Sequence, residues 1–446
     1  VEQSDIRNQL KQRLDDRPMS AFQIMVVALC FVLNMNDGMD VLVVSYTGTE
    51  IMSEWGLSKS QLGWIFSTGL IGMTLGAIFI APLGDKIGRR NVFILSLVLN
   101  TVGMLSVYLC TAYWQILVLR VITGLGIGGI IPSMATITSE YSNKKTFDFN
   151  VGLIQGGWPF GAILTGFFAA WAVPEFGWRF AYLFAGSVSL LMLILVWFLM
   201  PESLAFLSKQ PGTDQLGRIN QLLAKMQQPP LTANELSGGN APVSNSQSSG
   251  NTHWKALLST EFKGSTLRLW TGIFFGFMTL YTLMSWVPSI ATDAGMPFTW
   301  ATYAGMALNL GALIGVIAMG LSASYFGPKR TILTFLVIAF GIMLAYANLD
   351  LTYAIMFVLI FLIGFFVQGG FNTFFPIAAH VYPSDIRATG VGLAMGIGRF
   401  GAILGPLLFG VFFDWGMNIS VLFTIFSVPL LVAAFMAYTI PSKGLR

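Results

Sequence analysis

Apolar residues occur along this chain in stretches of about twenty or more, separated by short polar segments or by Pro and Gly. A helix that crosses a bilayer needs about 20 mostly apolar residues. Stretches of that kind cover residues 19–47, 60–83, 91–111, 113–140, 149–172, 178–200, 266–292, 298–324, 330–348, 353–381, 386–413 and 418–440. The alternating ten-residue pattern of a membrane strand is absent, and a helix satisfies its own backbone polar groups in lipid. The pattern therefore predicts an all-α membrane protein of twelve transmembrane helices.

The two halves of the pattern resemble each other. Val151-Gly152-Leu153, Gly156 and Phe160-Gly161-Ala162-Ile163-Leu164 return 240 positions later as Val391-Gly392-Leu393, Gly396 and Phe400-Gly401-Ala402-Ile403-Leu404. The same shift takes Gly124 to Gly364 and Gly129 to Gly369, and a near-equal one relates Lys86-Ile87-Gly88-Arg89-Arg90 to Tyr325-Phe326-Gly327-Pro328-Lys329. The predicted organisation is an N-terminal segment 1–18, a six-helix bundle 19–200, a linker 201–265, a second six-helix bundle 266–440 and a tail 441–446. In the linker, Leu216, Ile219, Leu222, Leu223 and Met226 have the spacing of an amphipathic helix, expected to lie on the inner membrane face. From Gln227 to Thr252 the Gly/Asn/Ser/Gln/Pro composition predicts disorder. Two such halves around a central site is the layout of a transporter whose bundles rock against each other.

Composition narrows the class further. Of 446 residues, 55% are hydrophobic and only 10% charged, against roughly 25% charged in soluble domains. Two cysteines exclude a disulfide scaffold and a Cys-rich metal site, two histidines argue against a His-ligated metal enzyme, and no metal or cofactor is expected. The net charge of +4 is dispersed over short loops, so nucleic acid is not an expected partner. The first 18 residues are polar and charged, and no cleavable leader is expected. With the N-terminus inside, 20 of the 24 Lys and Arg fall on the inner side; Lys59 and Arg179 fall outside, and Arg120 and Arg399 within spans. The positive-inside rule thus predicts both termini in the cytoplasm.

Several loops carry recognisable spacing. Gly84-Asp85-Lys86-Ile87-Gly88-Arg89-Arg90 lies between spans 2 and 3, where Gly88 permits a tight reversal, Asp85 can cap or pair, and Arg89 and Arg90 can pair with acids such as Glu140. That loop resembles a signature of the major facilitator superfamily, in which it latches the cytoplasmic side. Arg120 with Gly124, Gly126 and Gly128, then Pro201-Glu202-Ser203, then Tyr382-Pro383-Ser384-Asp385-Ile386-Arg387, resemble further motifs of the same superfamily. The run Asn36-Asp37-Gly38-Met39-Asp40 is similar to the Asp-Gly-x-Asp motif of the aromatic acid:proton symporters. The stretch from Arg387 to Pro406, including Arg399, resembles span 11 of that family. The resemblance implies two pseudo-symmetric six-helix bundles in a bacterial inner membrane and proton-coupled import of a benzoate-like or hydroxybenzoate-like acid.

Ionisable residues deep in the spans are the strongest candidates for function, because each costs roughly 2.5–3.5 kcal/mol at a helix centre. They are Asp37, Asp40, Arg120 and Arg399. Counting about 1.5 Å per residue from the outer ends of spans 1 and 4 places Asp40 and Arg120 at similar depth, and the spacing of three places Asp37 and Asp40 on one helix face. Burial raises a carboxyl pKa and a neighbouring arginine lowers it. Asp37, Asp40 and Arg120 are therefore expected to load the proton, the two acids acting as a pair. The alternative is an Asp40–Arg120 ion pair that only holds the first half together.

Arg399 is expected to grip the substrate carboxylate through two parallel hydrogen bonds at mid-membrane. Its repeat counterpart is Pro159, beside Trp158 and near Gln155, so the pseudo-twofold surrounds one space with an indole, an amide and a cation. Tyr281, Asn309, Gln368 and Asn372 sit near mid-span and could read a ring hydroxyl or serve as interhelical glue. At the inner side Asp85, Arg89, Arg90, Glu140, Arg387 and His380 are candidate gate residues, and His380 has a proton-exit role as a second reading. No nucleophile, phosphate loop or metal cluster argues for an enzyme. The leading expectation is a monomeric, proton-coupled importer of a small aromatic carboxylate by alternating access. Alternatives are transport of a dicarboxylate or nicotinate-like anion, and proton-driven export; against export, Trp158 stands before Pro159 where exporters of the superfamily carry Gly.

Overall fold

Why the apolar stretches become helices is visible at their ends. A computed structural model of the protein describes residues 15, 17–208, 214–231, 256–349 and 351–441; among them there is no strand. Twelve helices are long and apolar enough to cross a membrane. In the first half they are α1 (Ala21–Trp55), α2 (Lys59–Phe79), α3 (Arg89–Val107), α4 (Tyr113–Tyr141), α5 (Phe147–Phe176) and α6 (Trp178–Leu199). In the second they are α7 (Lys263–Asp293), α8 (Phe298–Phe326), α9 (Pro328–Asn348), α10 (Tyr353–Asn372), α11 (Ser384–Asp414) and α12 (Ile419–Tyr438). Ser20 with Gln23 and Ser58 with Gln61 form capping boxes that satisfy the first amides of α1 and α2.

The repeat is built into the backbone. Gly88 before α3 and Gly327 before α9 have φ of 96° and 81°, a region that side chains with a Cβ rarely enter, and each starts its helix after a sharp reversal. Gly124 packs against the Gly69 carbonyl on α2 as Gly364 packs against the Leu308 carbonyl on α8. The same small residue thus seats α4 on α2 and α10 on α8.

Several boundaries differ from the sequence expectation, three of them for a visible reason. α1 runs to Trp55 rather than ending at 47, because Ser45 and Thr47 place their hydroxyls on backbone carbonyls and the polar run stays helical. α2 ends at Phe79 and is followed by a 3₁₀ turn (Ala81–Leu83) around Pro82. The tenth stretch breaks at Thr373, before a short helix Phe374–Val381. Pro376 within that helix cannot donate to residue 372, which accounts for the break.

The linker helix is present as Asp214–Lys225. Its apolar face, however, is not turned to lipid. Ile219, Leu223 and Met226 are fully buried in a cluster with Val26, Cys30, Tyr141 and Val196 from the ends of α1, α4 and α6. Beyond it, Leu231 is fastened to Asn220 by two hydrogen bonds of 2.7 and 3.0 Å, so the first residues expected to be disordered pack in place. The rest of that stretch, 232–252, lies outside the described residues.

The two halves meet at the face of the bundle opposite the described chain ends. Ser45 on α1 donates to the Met284 and Ser285 carbonyls of α7 (2.7 and 2.9 Å), and Ser67 on α2 donates to Ile403 O of α11 (2.7 Å). Phe66 packs edge-on against Trp286 at 5.2 Å. Lys59 pairs with Asp293 at 2.6 Å, while the Asp414 carboxylate accepts from the backbone N–H groups of Lys59 and Ser60. Towards the face that carries the chain ends the halves diverge. Around Gly152 on α5 and Gly392 and Gly396 on α11, no atom lies within 4 Å of where a side chain would begin.

Candidate functional site

Divergence on one face and closure on the other leave a central cavity of about 610 Å³, within the usual range for small-molecule sites. Asp37 from α1, Gln155 and Trp158 from α5, Tyr281 from α7, Gln368 and Asn372 from α10 and Arg399 from α11 all line it. Six of the seven residues expected to bind substrate are thereby brought together. The exception is Asn309, which is fully buried within the packing of α8, donates to its own Gly305 carbonyl at 2.9 Å and does not reach the cavity.

The four intramembrane charges separate into two environments. Arg120 Nη1 donates to Asp40 Oδ1 at 2.9 Å and to the Asp40 carbonyl at 3.1 Å, both side chains nearly inaccessible. Gly69 makes room for the guanidinium: a Cβ there would stand 2.7 Å from Arg120 Nη2. Asp37 is turned away from this pair and into the cavity wall, where it is 3% exposed and its Oδ1 has no hydrogen-bond partner. The two acids thus look in different directions, contrary to the expectation of one shared face. Three residues along a helix rotate by 300°, and the 60° shortfall aims one side chain at α4 and the other at the cavity.

Arg399 is the other notable charge. Among the described residues it has no carboxylate within ion-pair distance and no hydrogen-bond acceptor of its own, although it lines the cavity with Asp37. A guanidinium cannot shed its charge in a protein, so this cavity presents a permanent cation to whatever enters.

Asp37 is positioned by the close approach of α1 and α5. Asn34 Nδ2 donates to Ile154 O at 2.7 Å, and Gly38 lies against the Trp158 carbonyl so tightly that a Cβ would overlap it. Gly38→Ala is expected to force the two helices apart and cost about 1–3 kcal/mol. A thermal melt of the purified protein in detergent will show it; an unchanged midpoint would refute the packing argument. Behind Asp37, Ser189 Oγ lies 2.6 Å from both Asn36 Oδ1 and Asn100 Oδ1, tying α1 to α3 and α6.

The expected gate residues are distributed differently from their sequence reading. Arg89 pairs with Asp85 at 2.5 Å, and Arg90 donates to Trp197 O. Neither hydrogen-bonds to Glu140. That carboxylate accepts instead from Ser203 Oγ (2.9 Å) and Leu204 N (2.8 Å) at the start of the linker. The acid that holds the loop is Glu202, whose Oε1 accepts from the backbone N–H groups of Arg89, Arg90 and Ser203. Burial pushes the Glu202 carboxyl above its ordinary range, against the pull of those three bonds. Arg387 donates to Tyr382 O at 3.2 Å, and the exposed His380 places Nδ1 2.7 Å from Pro376 O within its own short helix. Among the described residues no group of three or more His, Cys, Asp or Glu is arranged to hold a metal.

Comparison with known proteins decides the family. The Major Facilitator Superfamily profile matches residues 27–376 and, in a second alignment, 306–444. The chain belongs to the major facilitator superfamily. As a superfamily member it is a transmembrane transporter and not an enzyme. It is 30% identical to the 4-hydroxybenzoate transporter PcaK of Pseudomonas aeruginosa over 434 residues, covering 97% of this chain and 95% of that protein. It is 29% identical to the gallate transporter of Pseudomonas putida, covering 95% and 93%. In three dimensions it is similar to the inward-open conformation of the xylose transporter XylE from E. coli, with a TM-score of 0.72 at 16% identity over 95% of this chain and 97% of that one.

In this superfamily member the sequence reading missed the aromatic wall. Phe277 and Phe371 stack at 4.4 Å and line the cavity together with Phe31, Phe160 and Phe375. With 37 phenylalanines in the chain no single one stands out. Their helical offsets from Tyr281 (four residues) and Gln368 (three residues) were the available signal, since such neighbours share a face.

Proposed function

We propose that the protein imports a small aromatic carboxylate together with protons, by alternating access, across a bacterial inner membrane with both chain ends in the cytoplasm. The observation that carries this reading is Arg399: an unneutralised guanidinium in a cavity walled by aromatic rings, with an unpaired carboxyl, Asp37, in the same wall. The relatives named for 4-hydroxybenzoate and gallate support the substrate class. The substrate carboxylate docks on Arg399, and its ring packs among Trp158, Tyr281, Phe277 and Phe371. Gln155, Gln368 and Asn372 lie on the same wall to meet ring substituents. Asp37 takes the proton, which lets the acid and its counter-charges cross together, while the Asp40–Arg120 pair holds α1 on α4 and keeps Asp37 aimed inward. All of these residues belong to one chain, so a monomer suffices.

Uptake into proteoliposomes with an imposed pH gradient tests the reading. Labelled 4-hydroxybenzoate, gallate or benzoate is expected to accumulate, and a protonophore to abolish the accumulation. Succinate is expected neither to accumulate nor to compete, because it offers no ring to the aromatic wall. Accumulation that ignores the pH gradient would remove the coupling claim, and efficient competition by succinate would remove the substrate class.

In this reading the contacts between the halves at the opposite face form the outer closure. Lys59 is central to it, bridging to Asp293 with its ammonium while its backbone amide is held by Asp414. Partly exposed ion pairs contribute up to about 1 kcal/mol. Asp293→Asn is therefore expected to raise the outward-open population up to about fivefold. The readout is the rate at which an impermeant maleimide added outside labels a cysteine introduced by Met284→Cys in the cavity wall. An unchanged rate would show that this pair does not bear on closure.

A further inference from the structure

Among the described residues the central cavity is lined by one carboxylate and one guanidinium, and by no other Asp, Glu, Lys, Arg or His. Asp37 comes from α1 in the first half and Arg399 from α11 in the second. Neither side chain is in an ion pair among the described residues, with the other or with a third group, and Asp37 Oδ1 accepts no hydrogen bond. Two opposite charges therefore stand apart on the wall of one space. A simple aromatic carboxylate offsets Arg399 alone, and Asp37 then needs a proton to become neutral. A ligand with both a carboxylate and an ammonium offsets the two charges together. We propose that the cavity also binds zwitterionic aromatic acids, with the carboxylate on Arg399 and a primary ammonium on Asp37 in place of the proton.

This second ligand class rests on the proposed roles of Arg399 as the carboxylate anchor and Asp37 as the proton carrier. The surroundings of Asp37 suit an ammonium. Gly38 lies against the Trp158 carbonyl, and the Trp158 side chain lines the cavity together with Asp37. An indole near a carboxylate adds the attraction of its ring face for a cation. Asn34, one turn before Asp37 on α1, also lines the cavity; it commits Nδ2 to Ile154 O and keeps its amide oxygen for a donor. An ammonium carries three N–H groups and no acceptor, so acceptors on one helix are what it requires. A ring that ends in a methyl group leaves all of them unused. Because the acid and the cation belong to different halves, a zwitterion on both would also tie the first half to the second across the cavity.

The test is competition against labelled 4-hydroxybenzoate on the full-length protein in detergent. The competitors are the 4- and 3-(aminomethyl)benzoates and the matching methylbenzoates, which keep the ring and carboxylate but lack the ammonium. At least one aminomethyl isomer is expected to bind about tenfold more tightly than its methyl counterpart, the gain from one charge-assisted hydrogen bond. Asp37→Asn is expected to erase that advantage, because an amide offers the ammonium no charge. If neither isomer outcompetes its counterpart while 4-hydroxybenzoate binds, the zwitterion class falls and the reading of the site stands. If 4-hydroxybenzoate itself fails to bind the parent, both fall. An advantage that survives Asp37→Asn would place the ammonium elsewhere and overturn the proposal. Proton exchange gives a further decision on the parent alone, should the variant melt early. With an indicator dye in weak buffer at pH 7, 4-hydroxybenzoate is expected to draw in protons and the preferred zwitterion none. Of the other ionisable groups around Asp37, Asp40 is closed on Arg120, and the Tyr281 phenol and Arg399 guanidinium are types that keep their protons at pH 7. Equal proton uptake with both ligands would show that the ammonium does not replace the proton.

Discussion

Replacing Arg399 by alanine is expected to abolish binding of the aromatic acid while leaving the protein as stable as the parent. A carboxylate held by two charge-assisted hydrogen bonds gains about 1.5–3 kcal/mol from each. Losing both lowers affinity by roughly a hundredfold or more. Removal of a buried arginine usually leaves an acid stranded and costs stability, but Arg399 has no ion-pair partner within the described protein. The melting temperature is therefore expected to stay within the range of a neutral surface change, about 0.5 kcal/mol. Arg399→Lys keeps the charge and loses the planar fork, so it is expected to fall between, roughly tenfold weaker than the parent. Equilibrium binding of labelled 4-hydroxybenzoate to purified protein measures all three. An alanine variant that binds like the parent would show that the carboxylate docks elsewhere.

The second large effect separates the two aspartates of α1. Asp37→Asn keeps the shape of the side chain and removes its capacity to gain and lose a proton. It is expected to eliminate accumulation driven by a pH gradient while retaining exchange of labelled for unlabelled substrate. Asp40→Asn acts on a different quantity. It strands Arg120 in a site where both side chains are almost completely buried, and breaking one partner of such a pair costs about 3–5 kcal/mol. Its main result is therefore a lower melting temperature and a poor yield of folded protein. Measuring gradient-driven uptake, exchange and thermal melts on both variants gives a two-by-three comparison with opposite patterns. If Asp37→Asn still accumulates substrate against its gradient, Asp37 does not carry the proton. If Asp40→Asn melts with the parent, the pair is not the brace described here.

The residues most legible in the sequence were those whose placement is costly. Four ionisable groups within spans stood out because lipid penalises each one, and all four take buried or cavity-wall positions. The repeat was readable for a similar reason, since Gly88 and Gly327, 239 positions apart, occupy a backbone region that other residues avoid. Side chains that cost nothing in lipid gave no such sign. Phe277 and Phe371 form part of the cavity wall, yet in composition they match the phenylalanines that face lipid. Asn309 erred in the opposite direction: polar enough to suggest a binding role, it donates to the Gly305 carbonyl of its own helix and stays buried away from the cavity. Glu202 was read as part of a motif and not as a ligand of the Arg89 and Arg90 amides, because its partners lie more than a hundred residues earlier in the chain.

By itself the sequence determined that this chain is a bundle of twelve membrane-crossing helices in two related halves, because lipid leaves long apolar segments no other way to satisfy their backbones. It also determined which charges had to be accounted for. Only the tertiary structure decided how those charges divide, with Asp40 closed on Arg120 and Asp37 left with Arg399 at the cavity. It alone decided that the linker helix covers protein, and that the halves touch on one face and part on the other. The meeting of distant segments sets these outcomes, and it is not encoded in the spacing of residues along a single helix.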